Sequence, residues 1–505
     1  MRTSGILMPI FSLPSPYGIG TFGKEAYEFV DFLKEAKQSY WQILPLSPTS
    51  FGDSPYQSFS SYAGNPYFID LDMLCDKGLI KKQDFENVDF GENLYKIDYE
   101  KLYNNRYKVL KIAFNNFDKA NNEYKSFCEK EAEWLDDYAL FMAIKDSKNG
   151  EAWYKWEHSL KFRDKETIEK KKKELSQEIE FYKFLQFEFF SQWEKLKSYA
   201  NENGVEIIGD MPIYVALDSA DVWSKPHQFL LDETLTPTLV AGCPPDAFSD
   251  EGQLWGNPVY DWEYMKKEKI PFSWWRHRIK FALSVYDVVR IDHFRGFESF
   301  YTIKYGEETA KDGKWLKGPD MELFEAIKQD FDGKKLPIIA ENLGFLTKEV
   351  DTLLKNSGFP GMKVLQFAFD GNSDNQYLPH NYDKNCVVYT GTHDNDTING
   401  WVNTADKNEV AFATRYMQTN SSEGFNWTMI KTALMSVADT AIIMMPDLLG
   451  LGSEARINTP STVGENWKWR IEKGCINSWL AGIVRENTLL YGRASKFFQK
   501  NLDKE

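Results

Sequence analysis

Cysteine is scarce in this 505-residue chain: Cys75, Cys128, Cys243, Cys386 and Cys475 lie far apart and form no C-x-x-C pair. An odd number at wide, irregular spacing supports neither a disulfide framework nor a zinc site, and fits a reducing compartment. Histidine is almost as scarce, six in all, with no H-x-H and no H-E-x-x-H. No glycine-rich phosphate loop follows an apolar run, since Gly18-Ile19-Gly20 lacks the rest of that fingerprint. No stretch reaches 18 apolar residues, so a membrane-spanning helix is not expected. The apolar opening Gly5–Phe11 is short, broken by Pro9 and followed by no small-residue cleavage site, which argues against a signal peptide. With 32 glycines and 20 prolines the chain is neither collagen-like nor low in complexity. Positive charge is in deficit: 60 Lys+Arg against 75 Asp+Glu leaves a net −15, a field that repels a phosphate backbone. A nucleic-acid partner is not expected, a neutral substrate meets no such barrier, and a cytoplasmic location is expected.

What the chain does have is an ordinary globular balance, 42% hydrophobic and 27% charged, with an unusual share of aromatics. Its 16 Trp, 26 Tyr and 36 Phe can fill a core, and they can also stack on the apolar faces of sugar rings. Eight short apolar runs read as strands buried on both faces: Gly5–Pro9, Tyr40–Leu46, Val205–Val215, Asp287–Phe294, Leu336–Leu343, Met362–Phe369, Cys386–Thr392 and Thr440–Leu448. Amphipathic helical patterns lie between several of them, as in Ala26–Ala36, Met321–Ile327 and Thr347–Leu354. Strand and helix alternating eight times predict an α/β fold, a (β/α)8 TIM barrel, although a doubly wound open sheet gives the same local pattern. The expected organisation is one catalytic barrel over residues 1–505. Residues 71–199, charged, aromatic and free of buried-strand signal, read as a helical insertion. Residues 216–264, rich in Pro, Gly and Asp, read as a long loop insertion of the kind that carries function. The Lys170–Lys173 run is flanked by Glu169 and Glu174, which predicts a solvated helix face.

With 75 carboxylates, most acids are surface groups. Asp292, Glu341 and Asp394 differ because each directly follows an apolar run. They would stand at the C-terminal ends of strands four, five and seven, where barrel enzymes keep their chemistry. Arg290 lies two residues before Asp292, so on a strand both side chains share a face and the guanidinium can hold the carboxylate ionised. A structural ion pair inside the barrel is the plain alternative. A metal site built on Asp292-His293 and His393-Asp394 is another, though a neutral substrate needs no cation.

Six separated segments carry a resemblance. They are Asp53-Ser54-Pro55-Tyr56-Gln57-Ser58, Gly209-Asp210-Met211-Pro212-Ile213-Tyr214 with Asp218–Trp223, and Pro244-Pro245-Asp246 through Gln253-Leu254-Trp255-Gly256-Asn257-Pro258. The others are Arg290-Ile291-Asp292-His293-Phe294-Arg295-Gly296, Ala340-Glu341-Asn342-Leu343-Gly344 and Gly391-Thr392-His393-Asp394-Asn395-Asp396-Thr397. Over nearly its whole length the sequence resembles the 4-α-glucanotransferases (amylomaltases), within the wider α-amylase clan. The resemblance implies transfer of an α-1,4-glucan segment from a donor malto-oligosaccharide to the 4-OH of glucose or another glucan, starch and glycogen included, with no metal or other cofactor. It implies Asp292 as nucleophile, Glu341 as general acid/base and Asp394 as the third carboxylate, holding hydroxyls of the distorted ring. Among substrate-binding residues it implies Tyr56 as a platform for that ring, with Ser54 and Asp210 beside it. Arg290, His293 and His393 are implied as partners of the nucleophile and the bound sugar. Gln253, Trp255 and Asn257 are implied on a loop folded over the cleft, and Asn458 and Pro460 beyond strand eight. A hydrolase of the same clan needs the same three acids, and a glucan-binding protein without catalysis needs only the aromatics. Two positions depart from the family pattern: Ser461 stands where Asn-x-Pro-Gly-Thr has glycine, and Asn342 where an aspartate often follows the acid/base.

Overall fold

The computed structural model describes residues 2–245, 251–344, 346–419 and 422–502. All eight apolar runs contain strands, and these close on themselves. In chain order the barrel strands are β1 (Thr3–Leu7), β2 (Tyr40–Gln42), β3 (Glu206–Met211), β6 (Val288–Ile291), β9 (Ile338–Ala340), β10 (Gly361–Val364), β11 (Cys386–Tyr389) and β12 (Thr440–Met444). Every neighbour pairs in parallel, and β1 joins β12 with Leu7 opposite Met444, which removes the open-sheet alternative. Val289, Ile291, Ala340, Val388, Ala441 and Ile442 are all solvent-free, as expected for parallel strands covered on both faces. All the barrel strands but β1 are shorter than their apolar runs, several of which continue into turns beyond the strand. Leu365–Phe367 and Met445–Leu448, for example, turn into single helical turns.

The barrel helices follow the predicted faces. Lys24–Glu35 buries Ala26, Phe29, Val30, Phe32 and Leu33. Lys348–Ser357 begins where the Thr347 side chain accepts the N–H of Val350, and it ends at Gly358 with φ 71°. Between β2 and β3 lie seven α-helices, among them Tyr99–Asn116, Ala132–Ser147 and the 27-residue Ser176–Glu202. The last docks on the loop after β2 through buried amides. Gln186 bonds both the N–H and the C=O of Gly64, and Gln192 does the same at Asp70. The Lys170–Lys173 run is the solvated face expected, with Lys171 and Lys172 paired to Glu174 and Glu169.

Residues 216–264 differ from the long loop expected. They hold a helix at Ala220–Ser224, strands β4 (Leu239–Cys243) and β5 (Gln253–Pro258), and a helix at Trp262–Lys267. These strands join β7 (Ser299–Lys304) and β8 (Lys314–Lys317) in an antiparallel sheet ordered β5-β4-β7-β8. β4 pairs on one side with its sequence neighbour β5, but its other partner, β7, lies beyond barrel strand β6 in sequence, so local periodicity gives no hint of that pairing. Val240, Tyr301, Ile303 and Ala310 make a small separate core under this sheet. Asp246, part of a segment quoted for the resemblance, falls in 246–250 and lies outside the described residues. Among the described residues, no helix is long and apolar enough to cross a membrane, no group of three or more His, Cys, Asp or Glu could hold a metal, and all five cysteines are free thiols.

Candidate active site

Strands β3, β6 and β11 end in one hydrogen-bonded chain of side chains. Arg290 on β6 is 3% exposed and directs Nη1 to both oxygens of Asp210 on β3, at 2.7 and 2.8 Å, and to Oδ1 of Asp292 at 3.1 Å. Burial alone would weaken this guanidinium, but Asp210 and Asp292 outweigh it and hold its pKa well above the ordinary value. Asp210 accepts the Tyr56 hydroxyl at 2.7 Å, and the same hydroxyl lies 2.9 Å from Nε2 of His393. Burial and the Asp210 charge keep Tyr56 a phenol, so its one proton goes to Asp210. Nε2 of His393 must then be the donor to the Tyr56 oxygen, which assigns the tautomer. Burial also pushes the His393 pKa down, so the ring is neutral. The Tyr56 and His393 rings stack at 5.3 Å and 18°, and Nε2 of His393 lies 3.4 Å from Oδ1 of Asp394.

Asp394 is held in turn by the loop after β12. Asn458 donates Nδ2 to its Oδ1 at 2.6 Å and its own backbone N–H to the His393 carbonyl at 3.0 Å. Arg456 donates to the Asp394 carbonyl at 2.8 Å. Glu341 follows β9 and is 9% exposed. Its Oε2 accepts the N–H of His293 and its Oε1 that of Leu343, both at 2.7 Å. The His293 donor is aimed there by a left-handed backbone, φ 50°. Burial pushes the Asp292 carboxyl up to about 8 and raises Glu341 as well, each partly offset by Arg290. The pair therefore keeps a proton at a pH where two ordinary carboxylates have none.

The antiparallel sheet brings Trp255 edge-on to the His293 ring, with centroids 4.9 Å apart, and Trp255 donates its indole N–H to Gln253 at 3.1 Å. His293 is neutral, its pKa pushed down to about 3 by burial and the Arg295 charge, and its buried Nε2 has no hydrogen-bond partner among the described residues. Asn257 is engaged on both sides, donating to the Val215 carbonyl at 2.8 Å and accepting from Gln57 at 3.1 Å. It thus ties β5 to the Tyr56 loop. Ser54 accepts the N–H of Tyr56 at 3.2 Å and shapes the turn that presents the ring. Pro460 is exposed in the turn beyond Asn458. The residues brought into direct mutual contact are thus Arg290, Asp292, Asp210, Tyr56, His393, Asp394 and Asn458, with Glu341 beside His293.

Sequence reasoning missed Trp467, whose ring packs 5.6 Å from Tyr56 and 6.0 Å from His393, and Arg456. Both sit in irregular chain after β12, where no periodicity marks them. The two departures from the family pattern both fall at ordered positions. The Asn342 carbonyl accepts the Met362 N–H at 2.7 Å, so its side chain links β9 to β10. Ser461 keeps the backbone that glycine favours, φ 63°, at the third position of a Thr459–Thr462 turn closed by a 3.3 Å bond. Ser461→Gly is therefore expected to stabilise the protein, by up to about 1 kcal/mol, because the left-handed cost of an L-residue disappears. A lowered thermal midpoint in that variant would show that the turn carries no such strain.

A closed parallel barrel that delivers carboxylates from the ends of β6, β9 and β11 into one cleft, one of them bonded to a buried arginine, defines a barrel enzyme of the glycoside-processing class. The 4-alpha-glucanotransferase family model matches residues 8–476, and the chain belongs to that family. It is 55% identical to the 4-alpha-glucanotransferase of Clostridium butyricum over 489 residues, 96% of this chain and all of that protein. It is 47% identical to that of Thermus thermophilus over 485 residues, 94% of this chain and 95% of that one. The amylomaltase of Streptococcus agalactiae, solved in complex with acarbose, superposes with a TM-score of 0.95 at 44% identity, covering 98% of this chain and 100% of that one. The enzyme is accordingly a glycosyltransferase acting on glucans.

Proposed function

We propose that this enzyme moves a segment of an α-1,4-glucan between malto-oligosaccharides through a covalent intermediate on Asp292, and does so in the cytoplasm. The observation that carries the reading is the Arg290 bond to Oδ1 of Asp292, which orients the carboxylate and leaves Oδ2 for the anomeric carbon. Attack by Oδ2 forms the C1–O bond as the glycosidic C1–O4 bond breaks, and Glu341 gives its proton to the departing O4. The acceptor 4-OH then loses its proton to Glu341 and attacks C1, which frees Asp292. Asp394, fixed by Asn458, accepts hydrogen bonds from hydroxyls of the ring as it flattens, and Tyr56 backs that ring. The Nε2–H of His393, committed to the Tyr56 oxygen, fixes that ring where it backs the sugar.

Transfer must compete with water. Water is about 55 M and an acceptor sugar about 10 mM, a handicap of nearly four decades, or about 5 kcal/mol, within what positioning an acceptor can supply. Trp255, standing edge-on over His293, is the group placed to hold that acceptor and shed water. Maltotriose given to the pure enzyme is expected to yield glucose with maltopentaose and longer chains while total reducing ends stay constant. Reducing ends that rise in step with substrate loss, with no chain longer than maltotriose, would instead identify a hydrolase. Trp255→Ala is expected to raise the share of hydrolysis several-fold while donor cleavage stays measurable, read from reducing ends per maltotriose consumed.

A further inference from the structure

We propose that Asp447 is a positioning residue for the reaction: one buried carboxylate ties together the two ends of the loop that carries His393 and Asp394. The inference rests on the reading of Asp394 as the carboxylate that holds the reacting sugar ring.

Asp447 lies in the helical turn Met445–Leu448, directly after β12, and is 1% exposed. Its Oδ2 accepts the Thr390 hydroxyl at 2.7 Å, and Thr390, itself solvent-free, is the first residue after β11. Its Oδ1 accepts the N–H of Ile398 at 2.7 Å, and Ile398 is the first residue of the helix Ile398–Thr404. Between the two anchors run residues 391–397, which include His393 and Asp394. Other bonds hold the middle of this loop. Asn395 accepts both the N–H and the hydroxyl of Thr392 at 2.9 Å, and Gln366 donates to the Asp396 carbonyl at 2.8 Å. Asp447 bonds both ends at once. It reaches them from a third element, so it sets the span across which the loop is stretched.

The chemistry calls for a carboxylate here. Burying one is costly unless its oxygens are satisfied, and two donors from separate elements need two acceptor atoms. An asparagine offers one acceptor: with its oxygen on the Ile398 N–H, its NH2 group meets the Thr390 hydroxyl, so that bond must reverse and the hydroxyl proton loses the acceptor it has in Asp447. The consequence lands on Asp394, whose carboxylate must meet Asn458 and the sugar together, where a misplacement of about 1 Å costs on the order of 10²-fold in rate.

The test uses the full chain with maltotriose. Asp447→Asn is expected to lower kcat by about 10²-fold and to change KM less than about threefold, because the loop acts on the transition state more than on donor binding. Thr390→Val, which removes one anchor, is expected to fall in the same direction, and Thr390→Ser, which keeps the hydroxyl, to restore activity. The decisive arm is a double-mutant cycle: in an Asp394→Asn background, Asp447→Asn should cost almost nothing further. Full additivity in the cycle would overturn the inference, as would normal kcat in folded Asp447→Asn. If Asp447→Asn does not fold, Thr390→Val against Thr390→Ser decides, and equal activity in the two overturns the inference. Substantial activity in Asp394→Asn alone would instead overturn the assignment of Asp394 on which the inference rests.

Discussion

Asp292→Asn is expected to abolish turnover, by on the order of 10⁴-fold or more, while leaving the fold intact. An amide oxygen can still accept Nη1 of Arg290, and Arg290 keeps both oxygens of Asp210 at 2.7 and 2.8 Å, so the buried guanidinium is not left without a counter-charge. The side chain of Asp292 is 28% exposed to the cleft, so the substitution alters no packed core. What disappears is the only group in the scheme that can form the ester at C1. The checks are turnover of maltotriose together with circular dichroism and the thermal midpoint. Near-normal turnover in a folded variant would remove Asp292 from the nucleophile's place.

Glu341→Gln is expected to lower activity by about 10²–10⁴-fold and to change the shape of its pH dependence. In the intact enzyme the active form carries one proton on the pair, Asp292 ionised and Glu341 protonated. Adding a second proton at low pH neutralises the nucleophile, and removing the last one at high pH takes away the acid, so the profile is a bell whose limbs belong to the pair. Burial raises both carboxyls, Asp292 to about 8, so the bell lies nearer neutrality than two ordinary carboxylates would allow. In Glu341→Gln the basic limb should vanish. The acid limb should stay near its place, because Asp292 then titrates beside a neutral group, as it does at the acid limb of the intact enzyme. A basic limb that survives the substitution unchanged would assign it to another group.

The barrel was readable from the sequence because parallel strands covered on both faces leave continuous apolar runs, and the place of Asp292, Glu341 and Asp394 beyond strand ends was readable because each lies at the end of such a run. The closure of the barrel was not. It depends on β1 meeting β12, with Thr3 beside Thr440, a contact between opposite ends of the chain that no local pattern encodes. The antiparallel sheet was hidden for a related reason, since Val240 of β4 pairs with Ile303 across the whole of β6. Within the site, the Arg290–Asp292 spacing gave the shared face correctly, but nothing in the spacing showed that Asp210 takes most of the Arg290 charge. Asn257 illustrates the opposite limit: its place in a matching segment pointed to substrate, and its amide is bonded to Gln57 and Val215. Arg456 and Trp467 carry no sequence signal because they act from irregular chain through contacts 60 or more residues away, and Asp447 carries none because it sits inside an apolar run, in the helical turn after β12.

The most direct test of a covalent route through Asp292 uses Glu341→Gln and α-maltotriosyl fluoride, a donor whose leaving group needs no protonation. With the acid/base gone, formation of the intermediate proceeds and its breakdown is slow, so the glucan accumulates on the enzyme. Mass spectrometry of the digested protein is expected to show one maltotriosyl group on the peptide containing Asp292, lost when an acceptor is added with an anion such as azide in the place of the missing carboxylate. Fluoride release with no label on that peptide, or a label on a different carboxylate, would contradict the account.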